Sequence, residues 1–281
     1  MEQLHAFDDA MTDDLQSTFR ENGVVCVRGL LDTPALKLAE AAFRWTVEHP
    51  GPRAAAVLAG RPGAFYQDHC NPEAFAAYRP LLCDTGLARR VAKLLSSQNL
   101  WLMYEQIWIK QGGATLATPW HQDLPYVSLT GEHLATAWIN LHVVTKEDSL
   151  EFVSGSHRGP LYNPTAFDPN DATASMFADG VWPALPDIEA TRTAWPIVSW
   201  PIEPGDVVIF HPAILHGGAP TREGRRRRTI SLRFFGDHAF CAARPESDLT
   251  KYAGDDPTGQ MTKAIPGSLF RHSGFPHLIT A

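Results

Sequence analysis

The amino-acid sequence predicts a mainly β protein with N-terminal helices, and three observations support this fold class. From Leu100 onward, segments rich in β-branched and aromatic residues are separated by Gly, Pro and Asp turns, with no helical pattern between them. Before about residue 98, helix start signals and 3.6-residue periodicity dominate. Hydrophobic residues make up 44% of the 281 residues and charged residues 20%, which predicts an extensive core and excludes intrinsic disorder. Strands without intervening helices favour a sandwich, jelly roll or barrel over a doubly wound α/β sheet.

The first third of the chain, about 1–98, is predicted to form a helical support for the β core. Thr12 is followed by Asp13 and Asp14, a pattern typical of a helix start, and Gly23 supplies the stop. The same reasoning along the chain predicts a helix at 12–22, a strand at 24–29, a helix from about 33 to 49 and a helix at 86–97. Residues 51–80 are broken by Pro and Gly and give no clear prediction.

The jelly-roll or barrel core is predicted over about 99–240, within a single domain that spans residues 1–281. Its strand segments read LWLMYEQIWIK, HLATAWINLHVV, EFVSGSH, PIVSWPIEPGDVVIFHP and RRTISLRFFGD. A long loop at 160–195 interrupts this series and carries several large aromatic residues, so we expect a lid, with a structural insertion as the alternative. Residues 241–281 are rich in Pro, Gly, Thr and Ser and predict an extended C-terminal wrap.

Charge and hydropathy exclude several classes of partner. The formal net charge is -7 and the arginine run at 225–228 is the one basic cluster, so nucleic acid is not an expected partner. No stretch approaches about 18 consecutive apolar residues, and the first residues are acidic where a signal peptide is basic. The four cysteines form no CxxC pair. These features predict a cytoplasmic protein with no membrane partner.

The segment TPWHQDLPYV contains His121 and Asp123, which are two residues apart. On an extended strand, residues i and i+2 project from the same face, so the imidazole and the carboxylate can converge on one metal ion. The pair alone is common in sequences, and a histidine and an aspartate at a solvated strand end are the simpler interpretation. A third ligand is therefore needed to support a metal site.

His216 is the candidate for this third ligand, because it follows the apolar segment GDVVIF at a turn that contains two glycines. Two histidines and one carboxylate form the facial triad of non-haem Fe(II) enzymes, which leaves open positions for other ligands. Three protein ligands with an open position also suit catalytic zinc. The spacing of the residues does not distinguish between these metals.

At these residues the sequence resembles the phytanoyl-CoA dioxygenase family of Fe(II)- and 2-oxoglutarate-dependent oxygenases. The resemblance extends from WHQD at 120–123, through TAWINL and SLEFVSGSHRG at 136–159, to PGDVVIFHPAILHGGAPTREGRRRRTISLRF at 204–234. It implies a double-stranded β-helix, a cupin-like jelly roll, with Fe(II), the co-substrate 2-oxoglutarate and O2. The implied activity is oxidation of a small-molecule metabolite, by default hydroxylation of a C–H bond, with release of succinate and CO2.

The same resemblance implies roles for individual residues. His121, Asp123 and His216 are the implied iron ligands and thus the catalytic centre. The guanidinium of Arg227, eleven residues after His216, is implied to bind the distal carboxylate of 2-oxoglutarate. Four further positions are implied to line the co-substrate pocket: Gln122, Trp138, Gln106 and Gly218. Gly218 departs from the hydroxyl residue of some relatives, so one co-substrate hydrogen bond is expected to be missing or replaced.

Strand alternation makes the choice between Arg227 and Arg228 a prediction about orientation. Arg227 shares its face with Thr229, Ser231 and Arg233, whereas Arg228 shares its face with an apolar row. Burial of apolar side chains would select Arg228. An interior that holds a dianion and a metal needs polar residues, and the apolar row can pack beneath the N-terminal helices. We therefore expect Arg227 to point inward.

Two other functions remain open for this sequence. One is a jelly-roll binding module that binds metal structurally or not at all, and the other is a zinc-dependent hydrolase that uses the same three residues. Arg227 favours the oxygenase, because a simple zinc hydrolase has no need of it. The acidic character of the chain, with one basic run, favours a small metabolite over an acyl-CoA as the substrate.

Overall fold

The computed structural model describes residues 12–57, 65–112, 117–166, 174–178, 180–218, 221–245 and 265–279. Its α-helices are α1 Asp13–Asn22, α2 Thr33–Glu48, α3 Phe75–Arg79 and α4 Leu87–Leu94. Its strands are β1 Val24–Val27, β2 Ala55–Val57, β3 Phe65–His69, β4 Leu100–Gln111, β5 Thr118–His121, β6 Leu129–Gly131, β7 Leu134–Asn140, β8 Leu150–Val153, β9 Ile197–Val198, β10 Val207–Phe210, β11 His216–Gly218, β12 Arg226–Gly236, β13 Ala239–Cys241 and β14 His277–Ile279.

The main strands form a large and a small antiparallel sheet. The large sheet has the order β1-β10-β7-β12-β4-β3-β2, with β14 paired to β4, and the small sheet has the order β5-β11-β8-β9. Trp138 and Phe210 of the large sheet pack against Leu150 and Phe152 of the small sheet in one buried cluster. The two sheets therefore enclose an interior, which confirms the predicted mainly β jelly roll.

The helices pack on the outer face of the large sheet. Ile230 and Leu232 of β12 lie in the same buried cluster as Phe43 of α2 and Val91 of α4. Because side chains alternate along a strand, the neighbouring residues Thr229 and Ser231 face the small sheet instead. The apolar row of β12 thus packs beneath the helices, and the polar row faces the interior.

The helices α1 and α2 begin and end where the sequence predicts them, whereas α4 ends at Leu94, before the predicted 97, and α3 was not predicted. The Thr12 hydroxyl accepts a hydrogen bond from the backbone N–H of Leu15 at 3.2 Å, and Gly23 ends α1 with a φ of 73°. The carboxylate of Asp32 accepts a bond from the N–H of Ala35 at 2.9 Å at the start of α2. These side chains satisfy backbone groups that a helix end leaves free.

The first third of the chain also contributes strands to the large sheet. Three of its segments, β1, β2 and β3, belong to that sheet, so residues 1–98 form more than a helical support. The prediction missed β2 and β3 within 51–80, because Pro and Gly residues interrupt the pattern of these short strands. Residues 58–64 between them lie outside the described part. The strand β3 matters for the site because it pairs with β4 and extends the interior surface.

The loop at 160–195 does not lie entirely over the interior, as a lid would. Ile188 and Trp195 pack with Trp120 and Leu215 against the small sheet, and the indole N–H of Trp120 donates to Glu189 at 2.7 Å. Trp120 immediately precedes His121, so it points to the opposite, outer face of β5. This corrects the lid prediction for the second half of the loop. Phe167, one of its aromatic residues, lies outside the described residues.

The described part of the C-terminal segment crosses the edge of the core. The strand β14 pairs with β4, and the ring of Phe270 packs against Phe235 with ring centroids 4.9 Å apart. Residues 246–264 of the predicted wrap lie outside the described part of the chain. None of the described helices is long and apolar enough to cross a lipid bilayer.

Candidate metal centre

The small sheet brings together three residues on its inner face: His121, Asp123 and His216. His121 and His216 are direct partners in the pairing of β5 with β11, and Asp123 follows β5. The Oδ1 atom of Asp123 lies 3.5 Å from Nε2 of His121 and 3.9 Å from Nε2 of His216. One ligand atom from each residue lies within 4.8 Å of the other two. These three atoms are therefore close enough to hold one metal ion between them.

The backbone orients both imidazoles of this cluster. Nδ1 of His121 lies 2.8 Å from the carbonyl oxygen of Pro119, and Nδ1 of His216 lies 3.0 Å from that of Ile214. A carbonyl accepts only, so each Nδ1 carries the proton and each Nε2 presents a lone pair to the centre. Burial, followed by the neighbouring His121, lowers the pKa of His216 to about 4. Its imidazole is therefore neutral, the form that binds metal.

Asp123 is ionised although it is withdrawn from solvent. Burial alone would raise the pKa of this carboxyl, but the Arg233 guanidinium and the two histidines hold it below its usual value. Nη2 of Arg233 lies 3.4 Å from Oδ2 of Asp123, so Oδ1 is the oxygen that faces the histidines. The sequence placed Arg233 on the inward face of β12 but did not indicate this contact.

The GSH turn at residues 155–157 supports the centre from outside. The hydroxyl of Ser156 donates to the carbonyl oxygen of Val153 at 2.7 Å and accepts from the N–H of Leu215 at 2.9 Å. It thereby holds the backbone next to His216. His157 contacts the carbonyl oxygen of Arg20 through Nε2 at 3.2 Å, which joins the turn to α1.

Polar and aromatic residues on the interior faces of β12 and β4 lie opposite each other as cross-strand partners. Arg227, Thr229, Ser231 and Arg233 pair with Lys110, Trp108, Gln106 and Tyr104, respectively. Arg228 instead lies 3.7 Å from Glu40 of α2, with its guanidinium over the ring of Phe43. The structure therefore places Arg227, and not Arg228, on the inward row.

Arg227 is almost fully buried, with 6% of its surface exposed. Nη1 donates to the backbone carbonyl of Asp148 at 2.8 Å, and the guanidinium lies 5.9 Å from the ring of Trp138. The carboxylate of Asp148 binds Arg222 at 2.9 Å. Burial lowers the pKa of Arg227 to about 10, so it remains charged at neutral pH.

Lys110 adds a second cation beside Arg227. The two residues are cross-strand partners, and Nζ of Lys110 donates to the hydroxyl of Thr118 at 3.0 Å. Burial, with a smaller effect from Arg227, lowers the pKa of Lys110 to about 7. Its inward position follows from the same alternation that places Arg227.

Trp138 and Gln106, both expected near the co-substrate, lie on the interior rows. They are the two partners of Ser231, Trp138 on β7 and Gln106 on β4. Next to Trp138 on the same row is Asn140, whose Nδ2 is buried without a hydrogen-bond partner among the described residues. The sequence did not single out Asn140, although its spacing of two from Trp138 indicates the shared face.

Gln122 corrects a prediction, because its amide faces away from the metal centre. Nε2 donates to the carbonyl oxygens of Ala213 at 2.7 Å and Pro160 at 3.2 Å, while Oε1 accepts from the N–H of Tyr162 at 2.9 Å. Gln122 lies just past the end of β5, and its three backbone partners hold its amide on the outer side, away from His121 and Asp123. It anchors the 160–195 loop instead of lining the co-substrate pocket.

Gly218 also departs from its expected place in the co-substrate pocket. Its φ is 74°, a left-handed conformation that favours glycine, and a Cβ added there would lie 3.1 Å from Oε2 of Glu151. The pairing of β11 with β5 is irregular between His216 and Gly218. A side chain at 218 would therefore approach Glu151 on the outer side, which the residue types alone do not indicate.

Replacing Gln122 with leucine is expected to lower stability and leave iron binding intact. The change strands three backbone groups, two in the loop at 160 and 162 and one at Ala213, and an unsatisfied buried group costs about 1–3 kcal/mol. Denaturant unfolding measures the loss, and Fe(II) titration measures binding. Gln98→Leu, at an exposed glutamine, is the matched control. Unchanged stability together with weakened 2-oxoglutarate binding would show that Gln122 lines the co-substrate pocket after all.

Comparison with known proteins gives matches in both sequence and structure. The family model described as phytanoyl-CoA dioxygenase (PhyH) matches residues 19–229. A probable phytanoyl-CoA dioxygenase of Caenorhabditis elegans is 30% identical over 155 residues, which are 54% of this chain and 44% of that protein. The peroxisomal phytanoyl-CoA dioxygenase of Rattus norvegicus is 29% identical over 125 residues, 44% of this chain and 35% of that protein. The matches thus span less than half the length of these relatives.

Two solved structures share the fold over nearly the whole chain. The non-heme alpha ketoglutarate dependent carbocyclase SnoK from nogalamycin biosynthesis has a TM-score of 0.70 and 19% identity, covering 96% of this chain and 98% of SnoK. The epimerase SnoN, in complex with Fe3+, alpha ketoglutarate and nogalamycin RO, has a TM-score of 0.68 and 21% identity, covering 98% and 99%. The family match extends over most of the jelly roll and includes all three residues of the candidate metal centre. The chain belongs to the phytanoyl-CoA dioxygenase family.

Proposed function

We propose that this protein is an Fe(II)- and 2-oxoglutarate-dependent dioxygenase that hydroxylates a C–H bond of a small-molecule metabolite. The observation that carries the proposal is the combination of the His121–Asp123–His216 cluster with buried Arg227 in the same jelly-roll interior. A metal-binding module needs no buried cation at that place, and a simple zinc hydrolase has no dianionic co-substrate to bind.

The three candidate ligands fit Fe(II) by their chemistry. Two neutral imidazoles and one carboxylate are the donor set of the facial triad of non-haem iron oxygenases. The carboxylate of Asp123 stays ionised beside Arg233, and the backbone holds both Nε2 atoms toward the centre. Fe(II) bound to these three atoms keeps a positive charge, which attracts an anionic co-substrate.

The opposite part of the interior fits 2-oxoglutarate. Arg227 offers a guanidinium to the distal carboxylate, and Lys110 places a second cation beside it. Nδ2 of Asn140 is a buried donor to which the described residues offer no acceptor, while its Oδ1 accepts from Thr229 at 3.1 Å. Buried donors of this kind are stable when a ligand supplies the acceptors.

The residues of this chain then have separate tasks in the reaction. Iron with 2-oxoglutarate and O2 supplies the oxidising chemistry when bound. Arg227 and Lys110 hold the co-substrate at its distal end. Arg233 holds Oδ2 of Asp123, so that Oδ1 remains directed toward the position of the metal. The surrounding hydrophobic cluster, which includes Trp138 and Phe152, excludes water from the interior.

Anaerobic addition of Fe(II) and 2-oxoglutarate is the first test of this function. We expect a weak visible charge-transfer band that requires both additions, followed by release of succinate once O2 is admitted. Zn(II) in place of Fe(II) is the control for the metal. A protein that binds Fe(II) and 2-oxoglutarate without this band, or hydrolyses esters with Zn(II), would contradict the proposal.

Lys110 is expected to make 2-oxoglutarate binding depend on pH. Protonated Lys110 attracts the dianion, so binding raises the pKa of Lys110 above its free value of about 7. The neighbouring groups are Arg227, which stays protonated, and the uncharged Thr118 and Phe65. Affinity should be constant below pH 7 and fall as pH rises above it. In Lys110→Met, titration calorimetry should show weaker binding without this pH dependence, and an unchanged profile would remove Lys110 from the pocket.

A further inference from the structure

Arg233 lies at the other end of the inward row of β12 from Arg227. The two residues are six positions apart, a separation of about 20 Å along an extended strand. Arg233 is 7% exposed, and its guanidinium lies 4.7 Å from the centroid of the Tyr104 ring. One cation thus lies in the part of the interior that fits 2-oxoglutarate, and a second lies beside Asp123, where the co-substrate has no use for it.

Two buried nitrogen atoms near Arg233 have no hydrogen-bond partner among the described residues. They are Nε of Arg233 itself and Nδ1 of His69. His69 ends β3 and pairs with Gln106, so it extends the inward surface beyond β4. Burial first, then Arg53 and Arg233, lowers the pKa of His69 to about 4, which keeps its imidazole neutral. Nε of Arg233 is a donor, and Nδ1 of His69 is a donor in the tautomer that carries the proton on this nitrogen. A buried donor left without an acceptor is costly unless a ligand supplies one.

The inward rows of β3, β4, β7 and β12 carry cations and no carboxylate among the described residues. Glu105 is an acidic residue on β4, but it faces the helical side, where it accepts from the N–H of Asn71 at 2.9 Å. The charges of Fe(II) and 2-oxoglutarate cancel each other, whereas Asp123 balances only one of the three cations Arg227, Arg233 and protonated Lys110. A positive charge therefore remains in the loaded interior.

We propose that Arg233 and His69 bind an oxyanion of the substrate, so that the substrate is an organic acid held by its carboxylate next to the metal centre. This inference rests on the proposed oxygenase function. Arg233 has enough donors for both tasks: Nη2 reaches Asp123 and Nη1 reaches Ser231 at 3.3 Å, which leaves the Nε edge for the substrate. The Tyr104 ring holds the plane of the guanidinium. The bound carboxylate fixes the end of the substrate, and the rest of the molecule is presented to the centre.

The alternative role of Arg233 is to position Asp123 alone. The two roles differ in what the loss of the guanidinium changes. A residue that only positions Asp123 affects iron and 2-oxoglutarate binding, and it has no influence on which third molecule binds. A residue that anchors the substrate distinguishes a carboxylate from a neutral molecule of the same shape, because a charge-assisted hydrogen bond is roughly twice as strong as a neutral one.

The test uses pairs of carboxylates and their neutral amides, benzoate with benzamide and octanoate with octanamide. Each probe is added to the anaerobic Fe(II)–2-oxoglutarate protein at saturating 2-oxoglutarate, and the shift of the visible band measures its binding. The carboxylates should bind at least about tenfold more tightly than the amides. Arg233→Gln should abolish this preference, Arg233→Lys should retain part of it, and His69→Phe should reduce it. Arg226→Gln, at an exposed arginine of the same strand, is the matched control and should retain it.

The outcomes separate this inference from the proposed function. Absence of the band in the wild type would overturn the oxygenase itself. A normal band with equal binding of carboxylates and amides would overturn the anion site alone. The anion site would also be overturned if carboxylates bleach the band, because they would then displace 2-oxoglutarate. It would be overturned as well if Arg233→Gln weakens Fe(II) binding while the preference for carboxylates persists. Circular dichroism establishes that each variant is folded, and His69→Phe tests the site if Arg233→Gln does not fold.

Discussion

His216→Ala and Asp123→Ala are each expected to abolish turnover and to lower Fe(II) affinity by more than about tenfold, with the fold retained. Each change removes one of the three candidate ligands that the described residues bring together. His216→Ala also shortens a neutral side chain at the edge of the interior, so no charge is stranded by it. Asp123→Ala leaves Arg233 without its carboxylate partner, and we expect it to be the less stable of the two.

Three measurements check this expectation. Fe(II) titration reports the affinity, succinate release reports turnover, and circular dichroism reports the fold. His238→Ala is the control, because His238 is exposed and its ring stacks on His133 at the turn after β12, away from the candidate ligands. Normal iron content and normal succinate release in either variant of the cluster would show that the metal is held elsewhere.

The sequence predicted the site best where strand alternation and the resemblance to the dioxygenase family led to the same residues. His121 and Asp123 are two residues apart and converge, although Asp123 lies just past the end of β5. Alternation limited the co-substrate arginine to one of two faces of β12, and the metal and dianion that the resemblance implies selected the polar face of Arg227. The helix starts at Thr12 and Asp32 were equally local, since each depends on one side chain and the next turn of backbone.

Predictions failed where the position of a residue depended on distant parts of the chain. Gln122 lies between two inward residues, and its partners at 160, 162 and 213 could not be foreseen from its neighbours. The φ of Gly218 depends on an irregular pairing between β5 and β11. The second half of the 160–195 loop packs outside because Trp120 offers an apolar surface there. The buried contact of Arg233 with Asp123 joins residues 110 positions apart.

Arg227→Ala is expected to weaken 2-oxoglutarate binding by at least about tenfold, since a hydrogen bond to a charged group contributes about 1.5–3 kcal/mol. Fe(II) binding should be largely retained, because Arg227 lies on the large sheet. Its described contacts are with Asp148 and Trp138, and neither is a candidate ligand. The defect should be specific to the distal carboxylate. Pyruvate, which keeps the 2-oxo acid and lacks that carboxylate, should bind wild type and Arg227→Ala with similar affinity.

The neighbouring arginines supply the controls for this variant. Arg225 and Arg226 are exposed, and Arg228 lies against Glu40 and the Phe43 ring on the helical side of the sheet. Arg228→Ala should therefore lower stability slightly and leave 2-oxoglutarate affinity unchanged, although it removes the same charge one residue away. Both variants lose one positive charge from adjacent positions of β12, but the two side chains project from opposite faces. A difference in 2-oxoglutarate affinity between the variants therefore reports the orientation of the side chain and not the loss of charge. A large co-substrate defect in Arg228→Ala, with none in Arg227→Ala, would mean that the opposite face of β12 binds 2-oxoglutarate.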